Sequence, residues 1–175
     1  MSRKGLAEPM AAYVRALRRL GRRDHSESGL RRALLERGHS REEVEAALTR
    51  LRGERYLDDS GFAERFARSR LARHGLGRLR VRQGLRERGV DRGVAEAGLR
   101  AALREVPEAE VLDALARRYW RQRTRDEPTH RLRKLWTFLL RRGFPAPLVN
   151  ARLRALWPRW GDALTGLEPA EESEG

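Results

Sequence analysis

The sequence predicts an all-α protein, with three tandem three-helix repeat units in an elongated array that can curve. Apolar residues recur at helical spacing along most of the chain. No stretch alternates apolar and polar residues over the roughly 4–8 positions that a half-buried strand needs, and β-branched residues are scarce. One helix-stop pattern occurs three times: Leu34-Leu35-Glu36-Arg37-Gly38, Leu85-Arg86-Glu87-Arg88-Gly89 and Leu139-Leu140-Arg141-Arg142-Gly143. The three glycines are 51 and 54 positions apart. Each follows an apolar residue eight positions earlier (Leu30, Val81, Leu135) and precedes a leucine ten positions later (Leu48, Leu99, Leu153). A register repeated in this way marks an internal repeat, and stacked repeats contact chiefly their neighbours.

The glycine explains the stop. It takes the left-handed conformation that closes an α-helix. With Gly89 one residue beyond the cap, Leu85 and Val90 are placed to touch across a Schellman-type turn. Asp91 then offers an oxygen to the free N–H groups of the next helix.

The elements follow in order. A lead at 1–8 is expected to be disordered. The first helix spans about 9–20, with Tyr13, Leu17 and Leu20 on one stripe. Ser26 caps the second, which carries Leu30, Leu34 and Leu35 inward to the Gly38 stop. Ser40-Arg41-Glu42-Glu43 is a capping box for the third, which turns Val44, Ala47, Leu48 and Leu51 inward. In Tyr56-Leu57-Asp58-Asp59 an aspartate caps the fourth, with Phe62 and Phe66 one turn apart. His74 and Gly75 end it. The fifth runs over 77–88 on Val81 and Leu85, and the sixth uses Val94, Ala95, Leu99 and Leu103. Beyond Pro107 the seventh uses Val111, Leu115 and Tyr119, and the eighth uses Leu132, Leu135, Phe138 and Leu139. The ninth uses Leu148, Val149, Leu153 and Leu156 until Pro158 kinks or ends it. The expected units are therefore 9–55, 56–105 and 106–160, and the acidic tail at 161–175 is expected to be disordered.

Of 175 residues, 37% are charged and 39% hydrophobic, which suits small amphipathic units with modest cores. Net charge is +14, and lysine stands only at positions 4 and 134, leaving 37 arginines among the 39 basic residues. Residues 24–64 carry net −3, residues 65–104 net +9 and residues 117–160 net +11. An acidic first unit followed by two basic ones suggests different faces for different partners.

No long apolar run and no signal-peptide core are present, so no membrane association is expected. The absence of cysteine fits a cytoplasmic protein. His25, His39, His74 and His130 are scattered, and none has a second ligand at helical spacing. The Gly-Lys-Ser/Thr ending of a phosphate loop and the Gly-x-Ser-x-Gly of a hydrolase elbow are both missing. No metal or cofactor is expected, and the chain is not expected to be an enzyme. Asp58-Asp59 reads as helix capping rather than as a catalytic pair.

Several stretches resemble one family, the RecX regulatory proteins, which modulate the RecA recombinase. Arg22-Arg23-Asp24-His25-Ser26 with Leu30 to Gly38 is similar to its first unit. Tyr56-Leu57-Asp58-Asp59, Phe62-Ala63 and Arg68-Ser69-Arg70 resemble its best-marked junction. Gly75-Leu76-Gly77, Leu85 and Arg88-Gly89-Val90 resemble the second unit, and Leu139 to Phe144 the third. The likeness spans about residues 11–156. The chain departs from the family where Gly29 replaces an acidic residue and where Arg55 replaces a glycine, and in the third unit Pro145 stands where the other units have a Ser/Asp cap.

The resemblance implies tandem three-helix units. It also implies a protein that lies in the helical groove of the RecA–DNA filament and inhibits its ATP hydrolysis, coprotease activity and strand exchange. That would place it in recombination, DNA repair and the SOS response. It brings no catalytic residues. A stand-alone helical DNA-binding protein that competes for DNA, single- or double-stranded, is the alternative, because three short helices with a glycine turn also describe a helix-turn-helix. A monomer is expected.

The candidate contact residues are basic positions off the apolar stripes: Arg65 and Arg68; Arg78, Arg80, Arg82 and Arg86; and Arg131, Arg133, Lys134 and Arg141. Such groups bind phosphates or carboxylates through charge-assisted hydrogen bonds. Arg37, Arg88 and Arg142 recur before the glycine and suit the helix C-terminal dipole instead. All four tryptophans fall in the third unit. Trp136 reads as core, while Trp157 and Trp160 are open to core or stacking roles. Tyr56 and Phe62 read as junction packing.

Overall fold

The computed structural model describes residues 8–158. The expected tail, Trp160 and the lead before Glu8 lie outside the described residues. Among those described there are nine α-helices and no strand. They are α1 Glu8–Leu20, α2 Glu27–Leu35, α3 Arg41–Gly53, α4 Asp59–Ala72, α5 Arg78–Glu87, α6 Arg92–Glu105, α7 Glu108–Gln122, α8 Pro128–Arg141 and α9 Ala146–Leu156. Their contacts gather into two compact units. One runs to Phe66 and takes in Gly84–Arg100; the other holds Ala67–Gln83 and the chain from Ala101 onward.

The three glycine stops share one hydrogen-bond pattern. Gly38, Gly89 and Gly143 have φ of 85°, 67° and 86°. The N–H that follows each glycine reaches back to a leucine carbonyl: His39 to Leu34 (3.4 Å), Val90 to Leu85 (3.2 Å) and Phe144 to Leu139 (3.3 Å). Each glycine N–H also bonds to the carbonyl three residues earlier, at 2.8–2.9 Å. This is the Schellman cap that the sequence predicts. Leu34, Leu85 and Leu139 are fully buried beneath it.

Two of these stops dock on the start of another helix within the same compact unit. In the first unit Ser26 accepts a hydrogen bond from the Gly29 N–H and donates one to the Arg88 carbonyl at the end of α5. In the second, the N–H groups of Gly77 and Leu79, at the start of α5, donate to the carbonyls of Arg142 and Gly143 at the end of α8 (2.9 and 3.0 Å). The free donors of one helix end thus satisfy the free acceptors of another. There is no room for a side chain at these crossings. A Cβ on Gly89 would stand 2.2 Å from the Ser28 Oγ, and one on Gly77 would stand 2.3 Å from the Gly143 oxygen.

Both junction aspartates cap helices. Asp58 accepts from the Gly61 N–H of its own helix at 3.0 Å, and Asp59 accepts from the Glu27 N–H at the start of α2 at 2.8 Å. Ser40 and Glu43 form the predicted capping box. Arg55 is the one described non-glycine residue with positive φ, at 60°. It holds the same kind of stop, with the Tyr56 N–H bonded to the Leu51 carbonyl at 2.9 Å.

The first core joins Ala12, Tyr13 and Ala16 of α1 to Leu30 and Leu34 of α2 and to Val44, Ala47, Leu48 and Leu51 of α3. A second core is built by Leu112, Leu115 and Ala116 of α7, Leu132, Leu135 and Leu139 of α8, and Phe144, Val149 and Leu153 beyond them. Three packing expectations need correction. Leu35 is 38% exposed, because α2 turns its Leu30–Ala33–Leu34 edge inward and Leu35 lies about 100° further round. In α7 Leu112 and Ala116 are buried while Val111 and Tyr119 are only half-buried, so the helix is rotated by about one residue from the expected phase. Tyr56 is 56% exposed, and Leu57, not the tyrosine, packs on the first core. Phe62 is buried as expected.

Candidate basic interface

The second compact unit contains a surface cleft of about 510 Å³ between α7 and α8. Its cations are Arg123, Arg133, Lys134 and Arg141, and its rings are Tyr119 and Phe138. His130 and Thr137 complete the lining. The geometry follows from helix spacing. On α8, positions 130, 133, 134, 137, 138 and 141 share the face opposite the buried Leu132, Leu135 and Leu139. Tyr119 and Arg123 are one turn apart at the end of α7.

The start of α8 is fixed locally. The Glu127 side chain accepts from the backbone N–H groups of Thr129 (3.0 Å) and His130 (2.8 Å). It also accepts from the Thr129 hydroxyl. These donors hold its carboxyl down to about 2, with the hydroxyl bond the largest cause. Pro128 fits the first helical turn, where no N–H is needed.

Each ring has a cation over it. The Arg123 guanidinium lies 4.7 Å from the Tyr119 centroid, and that of Arg142 lies 5.0 Å from Phe138. The two rings stand 5.2 Å apart. Lys134 reaches Asp126 at 3.4 Å. The cleft therefore presents a concentration of positive charge, with arginine covering ring surface that a base would stack on. Its chemistry suits phosphate or carboxylate groups.

The candidate residues divide by environment. Arg133, Lys134 and Arg141 line the cleft. Arg80 joins its edge, with Nε donating to the Arg141 carbonyl at 3.3 Å. Arg82 and Arg86 are exposed on α5. Arg78 is held by Glu108, which is 5% exposed and takes both its backbone N–H and its guanidinium. Arg65 pairs with Asp24 at 2.7 Å, and Arg68 with Glu105 at 3.0 Å.

Arg131 requires a correction. It is 8% exposed and so is not part of a basic face. Its guanidinium lies 4.3 Å from the Trp120 centroid and donates to the carbonyls of Asp126 (2.9 Å) and Trp120 (3.4 Å). It pins the α7–α8 connection. Trp157 packs against the same Trp120 ring, with centroids 4.6 Å apart, and Trp136 donates to Asn150 at 2.7 Å. Arg123 and His130 were not among the sequence candidates. The turn-spaced Tyr119–Arg123 pair was the available signal for the arginine.

Among the described residues no group of three or more His, Cys, Asp or Glu could hold a metal ion, and no helix is long and apolar enough to cross a membrane.

Models of the first, second and third three-helix domains of RecX match residues 12–51, 58–99 and 107–153. The chain belongs to the RecX family. The regulatory protein RecX of Pseudomonas putida (strain W619) is 38% identical over 149 residues, covering 85% of this chain and 92% of that protein. That of Halorhodospira halophila is 39% identical over 155 residues, covering 89% and 93%. A crystal structure of a regulatory protein RecX superposes with a TM-score of 0.75 at 26% identity, covering 87% of this chain and 79% of that one. RecX from Lactobacillus salivarius shares the fold, with a TM-score of 0.75 at 18% identity over 85% of this chain and 96% of that one. These relatives are named as regulators, and the fold is the RecX arrangement of three-helix domains.

Proposed function

We propose that this RecX protein binds the RecA–DNA filament in its helical groove and inhibits ATP hydrolysis, coprotease activity and strand exchange. Membership of the RecX family along all three domains is the observation that carries this reading. The physical features agree with it. Arg133, Lys134 and Arg141 gather in one cleft, and Arg80, Arg82 and Arg86 lie exposed on α5. Both groups suit the carboxylates and phosphates of a nucleoprotein filament.

The test is ATP hydrolysis by the cognate RecA on saturating single-stranded DNA, with this protein added to preformed filaments. Inhibition well below one copy per DNA-binding site, kept at moderate salt, is the expected result. Inhibition only when this protein meets the DNA first would mean competition for DNA, whose affinity falls steeply with salt as counterions are released. That outcome would replace filament regulation with stand-alone DNA binding.

A further inference from the structure

We propose that the α7–α8 cleft is a docking site for the chain's own acidic tail, which competes there with external anions. Charge, position and length support this.

The cleft carries Arg123, Arg133, Lys134 and Arg141, and among the described residues Asp126 on Lys134 is the one carboxylate paired with these cations. Residues 161–175 hold Asp162, Glu168, Glu171, Glu172 and Glu174 and no basic residue. The same chain therefore carries a polyanion opposite in sign to the cleft.

The described chain ends against α7, the helix that supplies Tyr119 and leads to Arg123 in the cleft. Trp157, at the end of α9, lies 4.6 Å from Trp120. Trp120 is the sequence neighbour of Tyr119, a wall of the cleft, and Arg131 on its ring adjoins the cleft residue His130. All of these belong to the second compact unit.

The tether is long enough. Ten residues separate Pro158 from Glu168, and a random coil of that length has a root-mean-square reach of about 16–19 Å. Arg133 to Arg141 spans only about 12 Å of helix. Glutamates at 168–174 can therefore meet the whole cationic row. Because one arginine already lies over each ring, carboxylates that make ion pairs suit the cleft better than groups that must stack.

Surface ion pairs are individually weak, but tethering raises their local concentration to about the millimolar range. The tail therefore acts as a weak competitor that a polyanionic partner displaces. The inference rests on the cleft as an anion-binding surface and not on the identity of RecA as the partner.

The test uses the full chain and a fluorescein-labelled oligothymidylate as probe, read by anisotropy at low salt. The tail-neutral variant carries Asp162→Asn, Glu168→Gln, Glu171→Gln, Glu172→Gln and Glu174→Gln. It should bind about three- to tenfold more tightly than the parent, and the gain should shrink as salt rises. In a background of Arg133→Gln, Lys134→Gln and Arg141→Gln the gain should vanish. Equal binding of parent and tail-neutral chains would overturn the proposal. So would an undiminished gain in the cleft-neutral background, because the tail would then act through another face or through net charge alone.

Backbone amide signals give a probe-independent readout. Those of His130 and Thr137 should shift when the tail is neutralised, and unchanged signals would overturn the docking. RecA ATP hydrolysis is a separate measurement, so a failure of filament regulation is distinguishable from a failure of tail docking.

Discussion

The Ser26 hydroxyl donates to the Arg88 carbonyl at 2.6 Å, joining residues 62 positions apart, while the same oxygen accepts from the Gly29 N–H at 3.1 Å. Ser26 is 2% exposed. One hydroxyl thus closes the start of α2 and the end of α5. Ser26→Ala removes both bonds and should cost about 2–3 kcal/mol, a lost cap plus an orphaned carbonyl. Ser26→Asp keeps an acceptor for the cap but has no proton to donate, so it also places a carboxylate against the carbonyl. Urea unfolding should rank the parent above both variants. Equal stability of Ser26→Ala and the parent would contradict the shared role.

The three stop glycines should not respond equally to alanine. At Gly38 the φ of 85° is strained for alanine, but a Cβ would meet nothing within 4 Å. The expected cost is about 1–2 kcal/mol, that of a left-handed non-glycine residue. At Gly143 a Cβ would stand 2.5 Å from the Arg80 N, and at Gly89 2.2 Å from the Ser28 Oγ. Gly143→Ala must move backbone and should cost most, about 3 kcal/mol or more. Gly89→Ala should fall between, since the serine can rotate. Denaturant midpoints of the three variants check the order.

Arg55 gives the converse case. It holds a left-handed φ of 60° where the resemblance led to an expectation of glycine. Arg55→Gly removes the Cβ strain and should stabilise the chain by about 0.5–1 kcal/mol, the strain relief less the added freedom of the unfolded glycine. A loss of stability in the same unfolding assay would show that the arginine makes a compensating contact.

These stops were legible in the sequence because their chemistry is local. A leucine and the glycine four positions after it fix the cap whatever packs around it. What the stops dock against was not legible, since Ser26 meets Arg88 and Gly77 meets Arg142 only through tertiary structure. The site was partly legible. Arg133, Lys134 and Arg141 share a helix face by spacing alone. Arg131 was misplaced although it precedes the buried Leu135 by one turn, a relation that puts it at the inward edge of α8. Arg123 was missed because Tyr119 was assigned to the core, and a one-residue error in the phase of α7 moves the whole tyrosine–arginine edge.

Asp59 should titrate above the ordinary aspartate range. Burial is the main cause, opposed by the Glu27 N–H and reinforced by the charges of Glu27 and Asp58. A carboxyl whose folded value exceeds its unfolded value binds more protons when folded. Its burden on stability is therefore greatest at neutral pH, and it eases as pH falls through the raised folded value toward about 3.9. Asp59→Asn keeps an oxygen acceptor for Glu27 but does not titrate. The stability of the parent relative to Asp59→Asn should thus increase on acidification across that window. Paired urea titrations and the carboxyl carbon shift of Asp59 measure it, and a titration midpoint at or below the ordinary value contradicts the burial argument.

Arg131 and Arg133 are two positions apart and should separate folding from binding. The Arg131 guanidinium is buried over Trp120 and donates to the Asp126 carbonyl. Arg131→Gln loses the ring contact and leaves that carbonyl short of a donor, so it should cost about 2–3 kcal/mol. Arg133 is exposed on the cleft face. Arg133→Gln should change stability by no more than about 0.5 kcal/mol. On an anionic partner the effects should reverse. Arg133→Gln should weaken binding and flatten its salt dependence, because one fewer counterion is released. At temperatures where it remains folded, Arg131→Gln should retain the parent salt slope. If Arg131→Gln flattens the slope as much as Arg133→Gln, the buried guanidinium contributes to binding as well as to folding.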